Sequence, residues 1–380
     1  MTHVTPRFAI LVCLAGAWSA CTASRADTIQ TAGVRLEGET TVRERAILIG
    51  GSAVPLNGII AVIRDTGANT FGALQAIRLR NGEIWRARIL GLESNRLTVI
   101  SDLFGRCTIG TESVAALDFS SSPDPGVLHR TGALYRTHGE PIPGTLLWIG
   151  EDMLAVDCPL GALTVPRVGT LYYLFEHDAS PSAAGPDDEI GLIDGSIIHG
   201  RLSLGANGLE MTHAALGALS VPWAAVRYVR RSPPGLMRLG VPPAGDIAIR
   251  DPAGRPTAAR LIDYRYDGER RPPMPSCLTA VRMQAGTVAQ YRLPARKGQD
   301  SMFHAVAAPV TGCRGDVRIG LRVSGEIVYE RLLAPTNAPV AVSIPLPPGD
   351  TLTIDVDFGG RILHPCGVDW RDPCVVFRSE

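Results

Sequence analysis

Lysine is almost missing from this chain: Lys297 is the only one, and arginine carries nearly all the positive charge. Charge of any kind is sparse at 19%, and Lys+Arg and Asp+Glu both number 37, so the formal net charge is zero. That balance leaves no electrostatic footprint for nucleic acid or an anionic membrane surface. Long apolar runs are missing beyond the first stretch of chain, so no later segment reads as a transmembrane helix. Helical periodicity is nearly absent too. The chemistry-bearing motifs are also wanting. There is no G-x-S-x-G elbow, Walker loop, G-x-G-x-x-G after a strand, H-E-x-x-H or matched pair of C-x-x-C. His129, His138, His177, His199 and His213 stand singly, without the spacing that sets two ligands on one metal. The chain is therefore expected to be non-catalytic, with no cofactor and no metal.

What is present describes a globular, exported protein. Hydrophobic residues make up 45% of 380, enough for two or three cores. Arg7 precedes an apolar run from Phe8 to Ala20, and Ser24-Arg25-Ala26 supplies small residues after it. About 13 apolar residues are too few to span a bilayer but suit a signal peptide, here residues 1–26. The expected location is secreted or periplasmic, with lipid anchoring through Cys21 as the alternative. Of the 8 cysteines, Cys13 and Cys21 would leave with that leader, or Cys21 would carry the lipid. Cys107, Cys158, Cys277, Cys313, Cys366 and Cys374 remain as disulfide candidates. Such a set allows about 15 connectivities, of which chain proximity favours Cys366–Cys374, Cys277–Cys313 and Cys107–Cys158.

The region before residue 232 holds a degenerate repeat. Copies run from Ala76 to Phe119, Gly132 to Phe175 and Ile190 to Arg230, with a shorter one from Thr28 to Asp65. Each opens on a glycine turn (Asn81-Gly82, His138-Gly139, Asp194-Gly195) and has a second at Phe104-Gly105, Leu160-Gly161 or Leu216-Gly217. Asn-Gly and Asp-Gly between alternating apolar runs predict type I′ hairpins. Units of roughly 45 residues read as small meanders or barrels that must stack to bury their faces. Linkers follow from Pro- and Ser-rich stretches at Ser120–Pro125, Ala179–Asp188 and Arg231–Pro234. The expected domains are units 1 and 2 in 27–119, unit 3 in 129–175, unit 4 in 189–231, and a C-terminal module in 261–380.

In that module, short strands separated by turn residues, from Leu278–Met283 through Val375–Phe377, read as a β-sandwich. Here Met302-Phe303-His304-Ala305-Val306, the strand Gly315–Val323 with its Ser324-Gly325 turn, the run Asp350–Asp357 and the closing Trp370-Arg371-Asp372-Pro373 occur in order. This series resembles the NPCBM family, the novel putative carbohydrate-binding module, over about the last third of the chain. Where the family has an Asp-Gly turn, this chain has Ser324-Gly325. The resemblance implies a jelly-roll sandwich of the galactose-binding-like type and a role in sugar recognition. The fold class as a whole is all-β: three or four repeated small meander or barrel units followed by that jelly-roll sandwich.

Sugar recognition needs an aromatic face for the apolar C–H side of the ring and planar polar groups for its hydroxyls. Trp370, Asp369, Asp372 and His364 cluster in sequence; they make either a sugar platform or a core plug with a turn cap. Tyr329, Arg322 and Glu326 sit near a hairpin and read as weaker candidates or a solvated face. Asp355 and Asp357 alternate, so they share one face of a strand. Trp85, Trp148 and Trp223 fall in the repeats; they read as core, with Trp85 and Trp148 as alternative sugar-stacking residues. The expected function is glycan or cell-surface polysaccharide binding through the sandwich. The alternatives are a cell-surface structural or interaction protein with envelope-protein partners, or a glycoside hydrolase built on paired carboxylates.

Overall fold

Glycine turns set the hairpins, though by a different geometry from type I′ at the Asn-Gly and Asp-Gly sites. Gly82 and Gly195 have positive φ, while Asn81 and Asp194 do not. Gly82 N–H donates to Leu79 O and Leu79 N–H to Glu83 O; Gly195, Leu192 and Ser196 repeat the pattern. This is a type I turn followed by a left-handed glycine. The Asn81 and Asp194 side chains accept from Glu83 N and Ser196 N, so each closes its own turn instead of entering the left-handed region. Among the described residues, the pairs with two positive φ values are Gly50-Gly51, Ser94-Asn95 and Ser324-Gly325.

The computed structural model describes residues 26–31, 35–43, 46–66, 75–120, 131–176, 187–240, 248–250, 260–263, 277–294, 300–360 and 366–377. Residues 1–25, which hold nearly all of the expected leader, and His129, His177 and His364 lie outside the described residues. The first segment carries β1 (Asp27–Thr31), β2 (Arg35–Gly38), β3 (Thr40–Arg43), β4 (Ala46–Ile49), β5 (Ser52–Val54) and β6 (Ile59–Ile63). The second carries β7 (Gln75–Leu79), β8 (Ile84–Glu93), β9 (Arg96–Ser101), β10 (Gly105–Gly110) and β11 (Val114–Asp118). The third carries β12 (Ala133–Arg136), β13 (Ile142–Pro143), β14 (Thr145–Ile149), β15 (Met153–Cys158), β16 (Gly161–Pro166) and β17 (Thr170–Leu174). The fourth carries β18 (Asp188–Leu192), β19 (Ile197–Leu204), β20 (Gly208–His213), β21 (Gly217–Pro222) and β22 (Val226–Arg230).

One pairing order recurs in these segments. First and last strands pair antiparallel: β1 with β6, β7 with β11, β12 with β17, β18 with β22. A long strand then serves two partners. β8 pairs with β7 through Gln75↔Ala87 and with β9 through Arg88↔Ile100. β19 does the same with β18 and β20. Each segment thus curls on itself, and β6–β22, β11–β17 and β8–β19 join neighbours edge to edge. Pairing the edges removes open ladders, and the buried faces merge into one core from Ile29 to Val229.

The rest of the chain is a two-sheet sandwich. Its strands are β23 (Leu236–Arg238), β24 (Ala248–Arg250), β25 (Arg260–Asp263), β26 (Thr279–Gln284), β27 (Thr287–Arg292) and β28 (Ser301–Pro309). They continue with β29 (Val317–Val323), β30 (Glu326–Leu333), β31 (Val340–Leu346), β32 (Thr351–Phe358) and β33 (Gly367–Phe377). One sheet runs β25-β26-β33-β28-β31, with β23 on β33; the other runs β24-β27-β32-β29-β30. Strict alternation, as in Thr287–Arg292 and Thr351–Phe358, sends one face of each strand into a separate core around Phe303, Leu321 and Trp370. The strands β23 and β24, which precede residue 261, complete these sheets. The two cores meet through a small cluster of Ala61, Ile63, Tyr228 and Leu278. No helix among the described residues is long and apolar enough to cross a membrane.

Candidate functional site

The closing motif turns inward. Trp370 has no exposed surface and packs edge-on against Phe303, ring centroids 6.0 Å apart. Asp372 sits at positive φ, its buried carboxylate accepting from Leu278 N at 3.0 Å, Thr279 N at 2.8 Å and Thr279 Oγ1. Burial pushes its pKa up, against the lowering pull of those N–H donors and Arg238. Asp369 is gripped by Arg282 through two contacts, at 2.7 and 2.8 Å. These residues are the plug and turn cap: the carboxylates of Asp369 and Asp372 are already engaged within the protein, and the Trp370 ring is enclosed in the core. Trp85 and Trp223 are likewise buried, donating to Glu83 and to Thr40 O, whereas Trp148 is 39% exposed.

The favoured disulfides also give way to geometry. Among the described residues, Cys107, Cys158, Cys277, Cys313, Cys366 and Cys374 are unbonded thiols. Cys366 immediately precedes β33 and Cys374 lies well along it, and strand rise of about 3.3 Å per residue separates them far beyond the roughly 7 Å a disulfide can bridge. Cys277 leads into the end of β26 that faces Arg371, while Cys313 lies near the end that faces Gly367. Cys107 and Cys158 belong to different curled segments.

The outward face of the second sheet is another matter. Alternation puts Val288 and Gln290 of β27, Thr353, Asp355 and Asp357 of β32, and Arg318 and Arg322 of β29 on the side away from the core. Register sets them in rows: Gln290 beside Thr353 beside Arg322, Val288 beside Asp355 beside Gly320, and Asp357 beside Arg318. Ile327 and Leu332 of β30 extend two of these rows, opposite Arg322 and Arg318, and are 56% and 51% exposed. Arg322 Nε lies 3.2 Å from Asp355 Oδ2, with the side chains 40% and 18% exposed. Gly320 makes this pairing possible: a Cβ there would come within 2.4 Å of Asp355 Oδ1, so the carboxylate occupies space a side chain would take.

Of the sequence candidates, Arg322 and Asp355 meet on this face, and Asp357 lies on it beside Arg318. Tyr329 opposes Leu321 and packs partly against the core; Glu326 is exposed at the turn. Gln290 and Thr353 went unnoticed because each looks ordinary alone. Their signal was the alternation itself, which also places Asp355 beside them. Among the described residues no cluster of His, Cys, Asp and Glu is arranged to hold a metal ion.

Known proteins resemble the chain only loosely. No family model matches it, and neither does any curated protein. A CBM51 module from Clostridium perfringens GH95, solved with methyl-galactose, is 14% identical, with 37% of this chain and 99% of that one covered at TM-score 0.29. The tandem CBM51 modules of Sp3GH98 from Streptococcus pneumoniae SP3-BS71 are 10% identical, with 51% and 71% covered at TM-score 0.28. The CBM51-2 and INT domains of Clostridium perfringens ZmpB are 12% identical at TM-score 0.28, and this chain covers 36% of that one.

Proposed function

We propose that this is a non-catalytic carbohydrate-binding protein that works outside the cytoplasm and recognises glycan on the outward face of its C-terminal sandwich. The observation that carries the reading is the Arg322–Asp355 pair, half-open to solvent on a sheet face with Gln290 and Thr353 beside it. A guanidinium, a carboxylate and a carboxamide are the planar groups that pair with adjacent sugar hydroxyls. Val288, Ile327 and Leu332 supply apolar surface for the C–H side of a ring. The NPCBM resemblance of the same strands supports this reading, as does the leader-like N-terminus. The absence of nucleophile, nucleotide and metal motifs supports binding without turnover.

The test is a glycan array with the full chain, followed by polysaccharide pull-down with cell-wall and matrix polymers. Arg322→Ala and Asp355→Ala should each weaken binding at least tenfold while changing stability by less than about 1 kcal/mol, as expected for a partly exposed pair. Absence of binding to every polymer, or binding indifferent to both substitutions, would count against the proposal. Capture of envelope proteins independent of glycan would instead favour the interaction-protein reading.

A further inference from the structure

The chain changes sheet twice at one end of the sandwich: residues 310–316 carry it from β28 in one sheet to β29 in the other, and after β32 it re-enters the first sheet through Cys366 at the start of β33. Val310 N–H donates to Gly367 O at 3.0 Å and Gly359 N–H to Asp316 O at 2.9 Å, so both described ends of the second crossover are tied to the first by backbone. Cys313 hangs from the first, in a turn closed by Cys313 N–H to Val310 O. Cys366 ends the second. Their sulfurs are 3.4 Å apart, and both thiols reach the same acceptor, Gly315 O, at 3.2 and 3.3 Å.

We propose that Cys313 and Cys366 are a disulfide site that locks the two crossovers together when the protein meets a disulfide oxidant. Bond formation needs the sulfurs to close from 3.4 Å to about 2.05 Å, a displacement on the scale of small side-chain rotations. The reaction is thiol–disulfide exchange. Cys313, the more exposed partner, attacks an external disulfide as thiolate and releases one thiol. Cys366 then loses its proton and displaces the second thiol from the mixed disulfide. Two protein thiols and one external disulfide become one protein disulfide and two external thiols. Burial, and then the Cys313 sulfur, raise Cys366 to about 11, which assigns it the resolving step. Cys277 and Cys374 are buried near the other end of β33, with thiols pushed up by burial, Cys374 to about 12.

The inference is independent of what the sandwich binds, yet it bears on that face. The closed loop spans a sequence separation of 53 and contains β29 and β32, the strands that carry Arg322 and Asp355. The experiment incubates the full chain with glutathione disulfide or with dithiothreitol, alkylates the free thiols and maps the peptides by mass spectrometry. A cross-linked Cys313–Cys366 peptide is expected after the oxidant, and both residues alkylated after the reductant. Reduction should lower the melting temperature of the sandwich by on the order of 10 °C, given the length of the loop. Cys313→Ser should melt like reduced wild type under both conditions. Alkylation of both residues after the oxidant, a link from Cys366 to any other cysteine, or a melt indifferent to reduction would each overturn it.

Discussion

A carboxylate taken out of water must find donors, and Asp372 shows the consequence at the scale of one residue. Its oxygens hold the N–H groups of Leu278 and Thr279 at the entrance to β26, so Asp372→Ala orphans two buried donors. The expected loss is about 3 kcal/mol of sandwich stability, measured by denaturant unfolding. A finer test uses pH. Burial raises the carboxyl of Asp372 in the folded state above its ordinary 3.8, so the folded protein holds that proton more tightly than the unfolded chain. The resulting contribution is complete below 3.8 and fades as pH rises through the folded-state value. Asp372→Asn cannot titrate. Its stability relative to wild type should therefore improve as pH rises from 3.8, and a constant difference across that window would contradict the assignment. The sequence offered Trp370 and Asp372 as either platform or plug. Residue type alone could not choose, because a Trp suits both fates and only the partner β28 decides which side it faces.

At the scale of an element, the curled segments depend on strands that pass close to an aromatic ring. Gly191 on β18 pairs with Tyr228 on β22, and the ring lies across the glycine so closely that a Cβ would come within 1.9 Å of it. The Tyr228 hydroxyl meanwhile donates to buried Glu189 at 2.7 Å. Gly191→Ala must swing the ring off its strand and strain that hydrogen bond. A cost of about 2–3 kcal/mol, visible as a lower midpoint with unchanged m-value, is expected. A neutral result would mean the first–last strand pair tolerates the displaced ring. The glycine turns and alternating strands were legible in the sequence. The turn type was not, since an Asn or Asp side chain can cap its own turn as readily as enter the left-handed region. The rows of the candidate face were hidden for a related reason: alternation says which residues share a side, while register between strands says which of them touch.

At the scale of the molecule, Arg238 joins the two cores. It stands on β23, in register with Cys374 of the sandwich, and its Nη2 donates to Ile60 O of β6 at 3.2 Å and to Arg231 O at 2.6 Å. Burial lowers its pKa to about 10, so it remains charged at neutral pH. Around it the join is small, made by Ala61, Ile63, Tyr228 and Leu278. Wild type should unfold calorimetrically as one transition. Arg238→Ala should remove about 2 kcal/mol of coupling and separate the transition into two. A single unshifted transition in the variant would show that the apolar cluster alone couples the cores.

What the sequence determined by itself is local. Period-two alternation, glycine turns and the scarcity of helical pattern dictate an all-β chain of curled hairpins and a terminal sandwich, because each rests on neighbours within a few residues. What only the tertiary structure decided is which distant residues meet. Cys313 faces Cys366 rather than Cys277, Asp355 reaches Arg322 across an absent side chain at Gly320, and Trp370 faces Phe303. The physical reason is that strand order and register bring together positions tens of residues apart, and neither spacing nor composition encodes that choice on its own.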